Sequence, residues 1–127
     1  MIRIVGVQRS TQPEKEFVLL QNQGVRRIPL LGYLITDDLG IHSTDPRTRG
    51  DRLYVFRHDI KLPPSAYVAL ITGWGEDGWR RHPDGTNVFH AYWGRERSVW
   101  YDHDGPIHLL TIANTHTTHP EGYLLRR

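Results

Sequence analysis

A chain of 127 residues fits one domain with room for a core, and a single domain over residues 1–127 is expected, its tail from about Asn114 the least defined part. Hydrophobic residues make up 38% and charged residues 24%, the balance of an ordinary globular protein, with no apolar run near the ~18 residues of a membrane span. Cysteine is absent, which excludes disulfides and thiolate metal sites, and a net charge of +2 is too small to indicate nucleic acid by itself.

Short apolar runs between turn signals follow one another along the chain. Ile2-Arg3-Ile4-Val5-Gly6-Val7 is rich in β-branched residues, and its start has neither a long apolar region nor a small-residue cleavage site. A cytoplasmic location is therefore expected. Glu16 to Asn22 is apolar on both alternating sets, Phe17/Leu19 and Val18/Leu20, which predicts a central strand covered on both sides. Leu30 to Thr36, Leu53 to Phe56, Tyr67 to Thr72, Val88 to Trp93, Val99-Trp100 and Ile107 to Ala113 read as further strands. In Val88 to Trp93 the set Phe89, Ala91, Trp93 is wholly apolar, so it is placed inward. Val99-Trp100 is placed across a hairpin from it. Asp37 to Asp51 and Trp74 to Asn87 read as long polar loops. No window keeps an i, i+3, i+4, i+7 apolar pattern for three turns, so helices are expected to be scarce. The prediction is an all-β domain, a sandwich of about seven to nine short strands.

The ordered motifs Glu16-Phe17-Val18-x-Leu20-x-Asn22-x-Gly24, Leu30-x-Gly32-Tyr33-x-Ile35-x-Asp37, Tyr54-x-Phe56, Leu62-x-Pro64-x-x-x-Val68, Thr72-Gly73-x-Gly75, Tyr92-Trp93-Gly94 and Val99-Trp100 resemble a lamin-tail domain of the bacterial type. The resemblance runs from about Ile2 to Ala113. It implies an immunoglobulin-like β-sandwich, no family-wide catalytic residues, no cofactor, and an interaction role. The sequence departs from that pattern at Tyr101-Asp102-His103-Asp104-Gly105-Pro106, where related domains carry two Asn and then Gly-Asp, and at the closing hairpin near Asn114.

Two clusters carry metal-ligating side chains. Asp102-His103-Asp104 offers two carboxylates and an imidazole, but lacks the alternating oxygens of a calcium loop. Its simpler reading is a β-turn in which Asp caps backbone amides and Gly supplies positive φ. His116-x-x-His119 with His108 falls short of the four ligands of a structural zinc site. No metal or cofactor requirement is expected from either. None of Ser10, Ser43, Ser65 and Ser98 sits in a nucleophile elbow, and Gly73-Trp74-Gly75 does not open a phosphate-binding helix.

The leading expectation is a non-enzymatic module that binds a protein through loops or an edge strand. Trp74 and Trp79 with Arg80 and Arg81 are the candidate contact residues, because exposed Trp and Arg make frequent hot spots. The first alternative is nucleic-acid binding by Arg26-Arg27, Arg47/Arg49/Arg52, Arg80-Arg81, Arg95/Arg97 and Arg126-Arg127. Interleaved acids such as Glu76-Asp77 and Glu96 dilute that charge, so only weak binding is expected. The second alternative is a metal-dependent hydrolase using Asp102, His103 and Asp104.

Overall fold

Alternating side chains along three adjacent strands build the frame. The computed structural model describes residues 1–112; His116, His119 and Arg126-Arg127 lie outside the described residues. In chain order come β1 (Ile2–Gln8), a 3-10 turn (Pro13–Lys15), β2 (Phe17–Asn22), β3 (Ile28–Pro29), β4 (Tyr33–Asp37), α1 (Asp38–His42), α2 (Pro46–Asp51), β5 (Tyr54–Val55), β6 (Lys61–Leu62), β7 (Tyr67–Ile71), β8 (Gly78–Arg81), β9 (Asn87–Tyr92) and β10 (Ile107–Thr111). Strands make up 39% and helices 12% of these residues, so the protein is mostly β, well below the ~30–35% helix of an average domain.

The largest sheet has five strands in the order β1-β2-β7-β9-β8. β2 lies between β1 and β7, in the interior position that its doubly apolar sequence predicts. One face of this sheet carries Val18, Leu20, Val68, Leu70, Phe89 and Ala91. These pack with Ile35, Phe56, Leu62 and Trp100 into the main core, to which the three-stranded sheet β10-β4-β5 and the pair β3-β6 both contribute. Burying each of the Val, Leu, Ile and Phe side chains stabilises the fold by about 1.5–3 kcal/mol relative to exposure. The opposite face carries Ala69, Ile71 and Val88, flanked by Phe17, Leu19, Tyr67 and Tyr92.

Several expectations are corrected. β9 does not pair with Val99-Trp100; it runs parallel to β7 and antiparallel to β8. Val99 and Trp100 are buried but lie outside any strand. The cause is Glu16, whose Oε1 accepts from the amides of Val99 (2.8 Å) and Trp100 (3.1 Å) and from the Thr72 hydroxyl (2.9 Å). A buried side chain thus does for this segment what a neighbouring strand would otherwise do. Phe89 and Ala91 do point inward, while Trp93 is half-buried against the core. The stretch Trp74 to Asn87 is not one loop, because it contains β8. Asp37 to Asp51 folds into α1 and α2, each entered by an aspartate that caps it: Asp37 accepts from Gly40 N and Asp45 from Arg47 N. Helices this short leave no room for a 3.6-residue apolar period, so the capping aspartates and, in α2, Pro46 in the first turn are their sequence signatures.

The Asp37 carboxylate also closes a buried pair with Arg52, whose Nη2 is 2.6 Å and Nε 3.0 Å from Oδ2. Burial by itself would raise the Asp37 carboxyl; the Arg52 hydrogen bonds, the Gly40 amide and the guanidinium charge outweigh it and hold it below its ordinary 3.8. A folded value below the unfolded one means the contribution is complete above about pH 4 and is lost as pH falls through the lower folded value. Replacing Arg52 by Met is expected to cost about 1.5–3 kcal/mol at pH 7, the worth of hydrogen bonds to a charged group. Urea melts at pH 7 and pH 2.5 check this: the gap between wild type and Arg52→Met should narrow in acid. An unchanged gap would show that the pair's charge is irrelevant.

Candidate functional site

β8 is an edge strand of the five-stranded sheet, and three of the four candidate contact residues, Trp79, Arg80 and Arg81, lie on it. The turn at its end sets which backbone groups are free. His82 N donates to Thr86 O, and alternation in an antiparallel pair then turns the N–H and C=O of Trp79 and Arg81 away from β9. The Trp79 carbonyl accepts from Arg80 Nη1 at 3.3 Å. Trp79 is 42% exposed; its ring meets Phe89 edge-on at 5.5 Å between centroids. It also walls a cleft of about 620 Å³ whose other sides include Pro63, Pro64, Tyr67 and Asn87. An exposed edge beside an aromatic-walled cleft can accept an extended segment, with main-chain bonds along the strand and a side chain in the cleft.

Trp74 stands apart from this edge, in the connection between β7 and β8, and is 72% exposed. Its ring lies against Gly94, where a Cβ would sit 3.2 Å from it, and Gly94 has a φ of +76°. Gly75 in turn lies flat against the Tyr92 ring, with no space for a side chain. The glycines around Trp74 are thus explained by close approach of rings and, at Gly94, by backbone conformation.

The acid–histidine groups serve the fold. Asp102 is in a turn, 3.9 Å from Arg52 Nη1 and largely exposed. Gly105 has no positive φ; a side chain's Cβ there would meet the His103 ring at 3.2 Å. Among the described residues no group of three or more His, Cys, Asp and Glu side chains converges as a metal centre would require, so Asp102, His103 and Asp104 are not brought together as a ligand set. His108 Nε2 meets Asp38 at 2.5 Å, tying β10 to α1. His58 Nε2 meets Asp77 Oδ2 at 2.7 Å, while Asp77 Oδ1 accepts from Tyr92 N at 2.8 Å. The His58 Nδ1 is buried without a partner among the described residues, so this dyad presents no nitrogen to a substrate. Burial, with the Asp77 charge adding to it, pushes the neighbouring Tyr54 phenol up to about 12, which keeps it protonated at neutral pH.

Arginines are committed in part. Arg52 is in its buried pair, Arg9 donates to the carbonyls of Trp100 and Gly105, Arg49 donates to Ser43 O, and Arg95 pairs with Asp51 at 3.4 Å. Arg95 also lies over the Trp93 ring at 5.6 Å.

Sequence reasoning missed His82 and His90. Their Nε2 atoms are 3.4 Å apart, and His90 Nδ1 is 3.4 Å from the Tyr92 hydroxyl. They line one side of a depression of about 390 Å³ on the outer face of the sheet, with Phe17, Leu19, Ile71 and Val88 as its apolar part. The available signal was the Pro83-Asp84-Gly85 turn between two even-numbered histidines, which places both on one face if the flanking strands pair. Among the described residues no helix is long and apolar enough to cross a membrane. No protein-family model matches the chain, and no curated protein matches it.

Proposed function

We propose that the chain is a non-catalytic interaction module, a lamin-tail-like domain of immunoglobulin-like sandwich type, that binds a protein partner by accepting an extended segment along β8. The observation that carries this reading is the edge of β8, which has no further strand beside it among the described residues and where Trp79 and Arg81 direct backbone groups outward beside the aromatic-walled cleft. Trp79 supplies the anchor and Arg80 and Arg81 the polar rim, the division of labour found at binding hot spots. The family resemblance supports the non-catalytic part. Two of its motif residues have structural duties: Glu16 holds Val99 and Trp100, and Asn22 is buried, donating to Arg26 O and Leu62 O. The cytoplasm is the proposed location.

Proline tests the edge directly. At Arg81 it removes an N–H that makes no bond to β9, so the fold should survive, while a docked strand loses a main-chain bond. A photo-crosslinker placed at Arg81 in cells of the source organism should capture a partner, and one at Thr48 on α2 should not. Binding of the captured partner is expected to weaken about thirtyfold or more in Arg81→Pro and in Trp79→Ala, the ≥2 kcal/mol of a hot spot. Undiminished binding by both variants would refute docking at this edge. Preferential capture of nucleic acid at the same position would favour the Arg-rich alternative instead.

A further inference from the structure

We propose that His82 and His90 form a two-histidine site for a divalent transition-metal ion of the zinc, copper or nickel class on the outer face of the five-stranded sheet. This does not rest on the β8 docking reading. Four features carry it.

The first is distance. Two imidazole nitrogens bound to one tetrahedral ion at ~2.0–2.1 Å lie roughly 3.3–3.4 Å apart. The His82 and His90 Nε2 atoms are 3.4 Å apart. Without an ion, two such nitrogens can meet only if one of them carries a proton between them. The second is orientation. The Tyr92 hydroxyl faces His90 Nδ1; with the Nδ1–H donated to it, the Nε2 lone pair is left facing His82. Outer partners of this kind fix the ligating tautomer in metal sites.

The third is the rigidity of the frame. His90 sits within β9, paired to Ala69 of β7 and Gly78 of β8. His82 is fixed by the hydrogen bond from its N–H to Thr86 O, across a turn closed by Gly85 N to His82 O. Neither backbone needs to move for the rings to share an ion. The fourth is the surrounding charge. Asp84 lines the same depression, its Oδ1 accepting from Thr86 N at 2.9 Å. Arg80 is the opposing charge, and its guanidinium is tied back to the carbonyls of Glu76 (2.8 Å) and Trp79 (3.3 Å). Two protein ligands make an exchangeable site, completed by water, and not a structural centre of four.

The test titrates zinc sulfate alone into chelator-stripped full-length protein at pH 7.5, followed by calorimetry. One zinc ion should bind, and His82→Ala and His90→Ala should each weaken it about tenfold or more, at least what removing an outer-shell partner does. His103→Ala should leave it unchanged. Circular dichroism confirms that each variant is folded. A measurement free of variants uses substoichiometric Cu²⁺, which should broaden amide resonances around 82 and 90 before any others. Absence of saturable zinc binding, binding undiminished in both histidine variants, or copper broadening centred elsewhere would each overturn the proposal.

Discussion

Replacing Trp100 by Ala is expected to destabilise the protein by about 3–5 kcal/mol, the range for removing a large buried aromatic. Trp100 is the largest fully buried side chain. Its ring lies 5.6 Å from that of Trp93, and the Arg52 guanidinium sits 6.0 Å from its centre. Ala would leave a cavity bordered by a buried ion pair, which the surroundings cannot collapse to fill without separating charges. The loss is a large part of the ~5–15 kcal/mol that holds a domain together. Trp93→Ala, at a half-buried ring, should cost less. Trp74→Ala should stay within about 0.5 kcal/mol, the usual range for surface changes, because that ring is mostly in water. The order Trp100, Trp93, Trp74 is read from guanidinium chloride midpoints of the three variants. If Trp74→Ala proves the most damaging, core and surface are assigned the wrong way round.

Glu16→Ala should be nearly as severe, at about 3–5 kcal/mol. The carboxylate is fully buried and its Oε1 accepts from three buried donors. Each donor left without a partner costs about 1–3 kcal/mol, and the three losses are not additive because they share one atom. Glu16→Gln separates acceptor from charge. Its carbonyl still accepts at the Oε1 position, while its NH2 replaces the Oε2 that accepts from Ser10 N, so a penalty below that of Ala is expected. Equal melting temperatures for the Gln and Ala variants would show that charge, and not the shared acceptor, matters. Native-state hydrogen exchange adds a local readout: the amides of Val99 and Trp100 should lose protection in Glu16→Ala before those of β2 and β7 do.

The same residue shows where sequence reasoning ends. From alternation alone, β2 was legible as an interior strand and Phe89 and Ala91 as core-facing, because a period of two survives in the order of apolar residues. Scarcity of helix was legible from the missing 3.6-residue period, and the exposed loop position of Trp74 from its polar, glycine-rich neighbours. Tertiary structure alone decided the rest. Val99-Trp100 looks like a strand because its residues favour strands, yet a carboxylate 83 positions earlier takes its amides, and no local pattern records a partner that distant. β8 was hidden inside an apparent loop, since Gly78-Trp79-Arg80-Arg81 has no apolar alternation; it is a strand because β9 offers it a hydrogen-bonded edge. The parallel pairing of β7 with β9 brings together strands separated by all of β8, a choice of topology that side-chain pattern does not encode. For the same reason His82 and His90 appear in sequence as two of eight histidines, and only the β8–β9 pairing places their rings in contact.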